Sequence, residues 1–126
     1  MRMDSGALDR ERVAGMNKCI IIGYACGEPN EHFTQSGISK ADFRVGVGRK
    51  YGEHETDFFT VVAWRQTAEF CLRNITKGRR VLISGAMQCR SYDDANNGCR
   101  RYVWELIADE VELLGAAVGD DKLELA

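Results

Sequence analysis

Glu55-Thr56-Asp57-Phe58-Phe59-Thr60-Val61-Val62-Ala63-Trp64-Arg65 reads as one long β-strand. Thr, Val, Phe and Trp dominate it, and no Gly or Pro interrupts it. Side chains of a strand alternate between its two faces. Thr56, Phe58, Thr60, Val62 and Trp64 therefore share one face, and Phe59, Val61 and Ala63 the other. The second face is small and β-branched, as a packed core requires. The first spaces two large aromatics along a surface with hydroxyls between them. Taken alone it reads first as a second hydrophobic layer, and otherwise as a platform for flat ligands.

Further strands surround this one. Asn17-Lys18-Cys19-Ile20-Ile21-Ile22-Gly23-Tyr24 is a β-branched run ending in glycine. After turn chemistry at Gly27-Glu28-Pro29-Asn30, His32-Phe33-Thr34 predicts a short strand. Ser39 to Tyr51 predicts a long one, with Ala41, Phe43, Val45 and Val47 buried and the face bearing Asp42, Arg44, Gly46 and Gly48 small or polar. The glycines of that face mark a bulge, a bend or a close approach. Gln66 to Ile75 changes to helical spacing, with Ala68, Cys71, Leu72 and Ile75 on one side, and Lys77-Gly78 stops it. Arg79 to Arg90 and Arg101 to Leu114 predict two more strands, joined by a hairpin at Asn97-Gly98. The order β-β-β-α-β-β, all-β with one short helix, fits the five-stranded OB-fold barrel, whose open face binds oligonucleotides or oligosaccharides.

The chain has 126 residues, 44% hydrophobic and 29% charged, which is one globular domain. No apolar run reaches the roughly 20 residues of a membrane span, and no signal-peptide pattern opens the chain, so a cytoplasmic location is expected. The five cysteines form no C-x-x-C pair and read as reduced, small hydrophobes, with Cys99 the exposed one. Net charge is −2, unevenly placed. Residues 18–101 carry 13 Lys/Arg against 9 Asp/Glu, whereas residues 105–126 carry 7 acids against one lysine. A mildly basic body permits a polyanionic ligand without requiring one. Residues 1–15 read as a flexible extension followed by Met16, a possible second start; 16–115 as the domain; 116–126 as a short acidic tail.

From Met16 to Gly115 the chain resembles the bacterial single-stranded DNA-binding protein family. Five ordered blocks carry the resemblance: Met16-Asn17-Lys18 and the run after it, Ala41 to Val45, Thr56 to Trp64, Lys77 to Gly85, and Ala108 to Gly115. The resemblance implies sequence-independent binding and protection of single-stranded DNA in replication, recombination and repair, by a homotetramer. It assigns base stacking to Tyr51, Phe58, Trp64 and Tyr92; three of these are not the larger tryptophan. Arg44, Arg49, Lys50, Arg65, Arg90, Arg100 and Arg101 are the candidates for phosphate contacts. Phe59 stands where many members place a polar residue near the subunit interface. The exposed edge of Asn17 to Ile22 is a candidate pairing site between subunits. Many members end in an acidic Pro-Phe tip that docks other enzymes. The sequence here ends Asp120-Asp121-Lys122-Leu123-Glu124-Leu125-Ala126, which counts against recruitment through the tail and suits a truncated chain or a phage- or plasmid-type form; the expected location is cytoplasmic, nucleoid-associated or phage-encoded.

An OB-fold interaction module of a replication or primosome assembly is the alternative. An enzyme is not expected. His54-Glu55-x-Asp57 offers acid/base groups, but adjacent strand residues point oppositely, and His32 is the only other histidine. No cofactor or metal is expected.

Overall fold

The structure, a computed structural model, describes residues 15–52 and 54–115. The extension and the acidic tail expected at the two ends lie outside the described residues, apart from Gly15. Seven elements follow in order: β1 (Cys19–Ala25), β2 (Asn30–Phe33), β3 (Ser39–Gly48), β4 (Thr56–Trp64), α1 (Arg65–Asn74), β5 (Arg80–Asp93) and β6 (Arg100–Leu113). They form one sheet in the order β1-β5-β6-β4-β3-β2. A further β1–β3 pairing, Tyr24 opposite Gly46 and Ala25 opposite Val45, closes β1, β5, β6, β4 and β3 into a ring. This is the OB topology, with β2 added outside the ring on β3. The β4–β6 contact is parallel, Val61 to Leu106 and Val62 to Ile107, and the other pairings are antiparallel.

The ring closes because two glycines remove side chains where backbones converge. A Cβ on Gly23 would collide with the Gly46 carbonyl of β3. One on Gly85 would collide with the Ile107 carbonyl, where the β5–β6 register slips by a residue between Ser84 and Gly85. Inside the ring Val45, Val61, Val81, Ile83 and Leu106 are fully enclosed, with Phe43, Ala41 and Ala63 beside them. Each such aliphatic side chain contributes roughly 1.5–3 kcal/mol of burial. α1 packs on β3, β4 and β6, and its Ala68 and Cys71 are buried. Burial pushes the Cys71 thiol up to about 11, which leaves it protonated and inert. Leu72 and Ile75 face the core as the helical spacing predicts, and Phe70 stays outside.

Three differences from the sequence reading have physical causes. β3 ends at Gly48 rather than Tyr51, because the Arg49 N–H donates to the Glu55 carbonyl and starts the hairpin turn. His54 sits in that turn with φ 63, ahead of the strand. Cys99 is exposed as expected, but so are Cys26, in the turn after β1, and Cys89. Cys89 has the core-facing parity of Val81 and Ile83, yet the β5–β6 hairpin outruns the barrel there. Tyr102 and Trp104, in phase with the buried Leu106 and Ala108, are exposed for the same reason. The hairpin turn has the Asn-Gly chemistry read from the sequence: Gly98 takes φ 70 and donates to the Asp94 carbonyl.

Candidate nucleic-acid interface

The outward face of β3 and β4 is set by their register. Lys40 lies opposite Trp64, Asp42 opposite Val62, Arg44 opposite Thr60 and Gly46 opposite Phe58. The parallel pairing continues this face onto β6 through Ile107. Alternation from the buried Leu106 turns Glu105, Val103 and Arg101 outward, and with them their β5 partners Gln88, Arg90 and Tyr92. Phe58, Trp64 and Tyr92 thus stand on one continuous surface, and Tyr51 extends beyond it from the β3–β4 turn. Along β4, Phe58 and Trp64 are about 20 Å apart.

All four rings are open to solvent: Tyr51 82%, Phe58 54%, Tyr92 48% and Trp64 38% exposed. The second-hydrophobic-layer reading of Phe58 and Trp64 fails on these values, whereas Val62 between them is buried. Phe58 packs close to β3 because Gly46 has no side chain; a Cβ there would lie 3.3 Å from Phe58 Cε1.

Each of the four rings carries a cation. The Arg44 guanidinium lies 4.5 Å from the Phe58 centroid, Lys40 Nζ 5.5 Å from Trp64, Lys50 Nζ 5.7 Å from Tyr51 and the Arg90 guanidinium 5.9 Å from Tyr92. Among the described residues no other aromatic has such a partner; Tyr24, Phe33, Tyr102 and Trp104 are as exposed and lack one. Lys40 was missing from the sequence reading. Its signal was the shared parity with Arg44; its partnership with Trp64 depends on cross-strand register.

The remaining cations separate into two groups. Arg49 is clamped: its Nε and Nη2 donate to Asp57 at 2.9–3.2 Å, and Nη1 donates to Glu55 at 2.8 Å. The hydrogen bonds between Arg49 and Asp57, and the charges behind them, raise the Arg49 pKa and hold the Asp57 carboxyl below its ordinary range. Asp57 has the parity of Phe59, so this clamp is on the opposite side of the hairpin from Phe58. Arg90 Nε donates to Glu105 at 3.1 Å, which raises the guanidinium pKa further. Arg101 Nε donates to Asp94 at 3.0 Å, and Arg100 stands 3.6 Å from Asp93. Lys40, Arg44, Lys50 and Arg65 have no carboxylate partner among the described residues. Arg65 takes φ 55 where β4 passes directly into α1.

Among the described residues no cluster of three or more His, Cys, Asp or Glu could hold a metal, and no helix is long and apolar enough to cross a membrane. The model of the single-strand binding protein family matches residues 16–114. The chain is 39% identical over 103 residues to a single-stranded DNA-binding protein of Caldanaerobacter subterraneus subsp. tengcongensis, covering 79% of this chain and 68% of that one. It is 40% identical over 103 residues to single-stranded DNA-binding protein 3 of Clostridium acetobutylicum, covering 79% and 71%. Identity to single-stranded DNA-binding protein 1 of Chlorobaculum tepidum is 32% over 108 residues, covering 81% and 67%.

Proposed function

Because this chain belongs to the single-strand binding protein family, we propose that it binds single-stranded DNA without strong sequence preference. The observation that carries the reading is the row of four exposed rings, each with a cation within 6 Å. A nucleotide offers a flat base and a charged phosphate, and a ring with a cation beside it complements both. Bases stack on Tyr51, Phe58, Trp64 and Tyr92; for single-strand binders as a class, truncating such a ring costs about 1–3 kcal/mol per base. Stacking tolerates any base, since each has a π-face, and a duplex hides those faces. Lys40, Arg44, Lys50 and Arg65 contribute most to phosphate binding, because no carboxylate must first be displaced. Arg90, Arg100 and Arg101 contribute less, and Arg49 least. Counterion release makes the affinity fall as salt rises.

In the cell this activity would protect unpaired strands during replication, recombination and repair in the cytoplasm. The working form is a homotetramer. Residues 19–23 of β1 pair with β5 only, which leaves one backbone edge open to a second chain. Several linked sites then add avidity. The test is a titration of labelled oligo-dT at several salt concentrations, with light scattering for mass. Binding at low salt that weakens as salt rises is expected. Absence of binding at low salt, together with recovery of a replication protein from a pull-down, would favour the interaction-module reading instead.

A further inference from the structure

Beside the Arg44–Phe58 pair lies a cleft of about 450 Å³, of whose lining only Arg44 has a role above. It is lined by Cys26, Glu28, Asn30, Asp42, Arg44 and Thr60, with Gly27 and Phe43 completing it. The turn after β1 forms one wall, held to β3 by the Cys26 N–H donating to the Arg44 carbonyl at 2.9 Å. The outward face of β3 and β4 forms the other. The cleft and the stacking surface are separated by one glycine. An added Cβ at Gly46 would lie 3.3 Å from Phe58 Cε1 and 3.6 Å from Cys26 Sγ. A nucleotide next to one stacked on Phe58 is therefore within reach of it.

The cleft is rich in acceptors. Asp42 is fixed in place: Asn30 Nδ2 donates to its Oδ1 at 3.1 Å, and His32 Nε2 stands 2.8 Å from its Oδ2. Each carboxylate oxygen keeps a further lone pair. Asn30 Oδ1 accepts no hydrogen bond from the described residues, and Glu28 adds a second carboxylate at the rim. Two carboxylates against one guanidinium repel a phosphate and accept a neutral donor. The exocyclic amino groups of cytosine, adenine and guanine each carry two N–H donors and match both acceptors, whereas thymine and uracil have a carbonyl at the corresponding pyrimidine position and a single ring N–H beside it.

We infer that this cleft receives a base adjacent to the one on Phe58 and favours bases that carry an exocyclic amino group, with Asp42 and Asn30 as the acceptors. The inference rests on the single-stranded DNA reading above. It adds a local chemical preference to a surface that otherwise stacks any base.

Oligo-dC and oligo-dU of equal length test it, because the two bases differ only at C4 and N3: an amino group beside an acceptor nitrogen in cytosine, a carbonyl beside a single N–H in uracil. Both are titrated against the wild-type protein, Asp42→Asn and Asn30→Ala. A hydrogen bond to a charged group is at stake, so Asp42→Asn should reduce the dC-to-dU affinity ratio by about tenfold. Asn30→Ala should reduce the same ratio several-fold, with the folded fraction checked by circular dichroism. A ratio unchanged in both variants overturns the inference, as does an equal gain for both oligonucleotides in Asp42→Asn, which would make the carboxylate a mere repulsion on phosphates. Failure of wild-type protein to bind either oligonucleotide would instead remove the single-stranded DNA reading itself.

Discussion

Two exposed apolar regions of this molecule differ in their charge. On the β3–β4 face Phe58 and Trp64 have Arg44 and Lys40 over their rings. On the outward face of β1, Ile20, Ile22 and Tyr24 are also exposed, yet no cation is paired with Tyr24 among the described residues. Across β5, Ile20 faces Ser84, Ile22 faces Leu82 and Tyr24 faces Arg80, and the next row, on β6, brings Glu110 beside Ser84 and Glu112 beside Leu82. On the proposed reading a phosphate chain is drawn to the first region, whereas in the second Arg80 is set against Glu110 and Glu112. Under the proposed function, exposure alone does not mark a base-binding ring; the cation beside it does. The β1 row, apolar with an open backbone edge, suits a protein surface instead.

The strongest way to break this contrast is the double variant Phe58→Ala/Trp64→Ala. Two stacking sites are lost, so affinity for labelled oligo-dT should fall by about a hundredfold or more with the fold retained. Near-normal binding would overturn the stacking assignment, whatever the family. A charge in the other region should do the reverse. Ile22→Asp is expected to lower the mass seen by light scattering, while a short oligonucleotide that occupies one protomer binds within about twofold of wild type. If Ile22→Asp abolished short-oligonucleotide binding at unchanged mass, the two regions would not be functionally distinct.

A smaller effect separates the cations. Arg44→Ala should weaken oligo-dT binding several-fold and reduce the slope of log affinity against log salt by about one. Arg49→Ala should change the slope less, since Arg49 is held by Asp57 and Glu55. Equal slopes for the two variants would show that the carboxylate clamp does not matter to DNA. The smallest effect concerns that clamp. Arg49 holds the Asp57 carboxyl below its ordinary value, so the pair stabilises the fold fully above the unfolded aspartate range, near about pH 4. That contribution is lost as pH falls through the lower folded value. Asp57→Asn should melt slightly below wild type at pH 6, with the gap closing on acidification. The gap is small because solvent screens both groups. A gap independent of pH would mean that the ion pair is not its source.

Much of this architecture is legible along the chain. The alternation in Thr56 to Trp64 predicts which side chains face out, and Phe58 and Val61 stand where it puts them. The helical spacing of Ala68, Cys71 and Ile75 predicts the face that is buried. These are local patterns, and a period of two or of 3.6 needs no knowledge of distant residues. Alternation alone does not show that Cys89, Tyr102 and Trp104 are exposed, because parity says which face a residue takes but not where the barrel ends.

The rest was decided by contacts between residues far apart in the chain. Lys40 reaches Trp64 and Arg44 reaches Phe58 only through the register of β3 against β4. Seven basic candidates look alike in the sequence, and only the fold shows that Asp57 and Glu105 hold two of them while Arg44 rests on a ring. Gly85 reads as an ordinary strand glycine until the Ile107 backbone is seen against it. Sequence periodicity specifies elements and faces because those are set by backbone geometry within a few residues. Which charge meets which ring is set by strand pairing and ring closure, which exist only once the chain has folded.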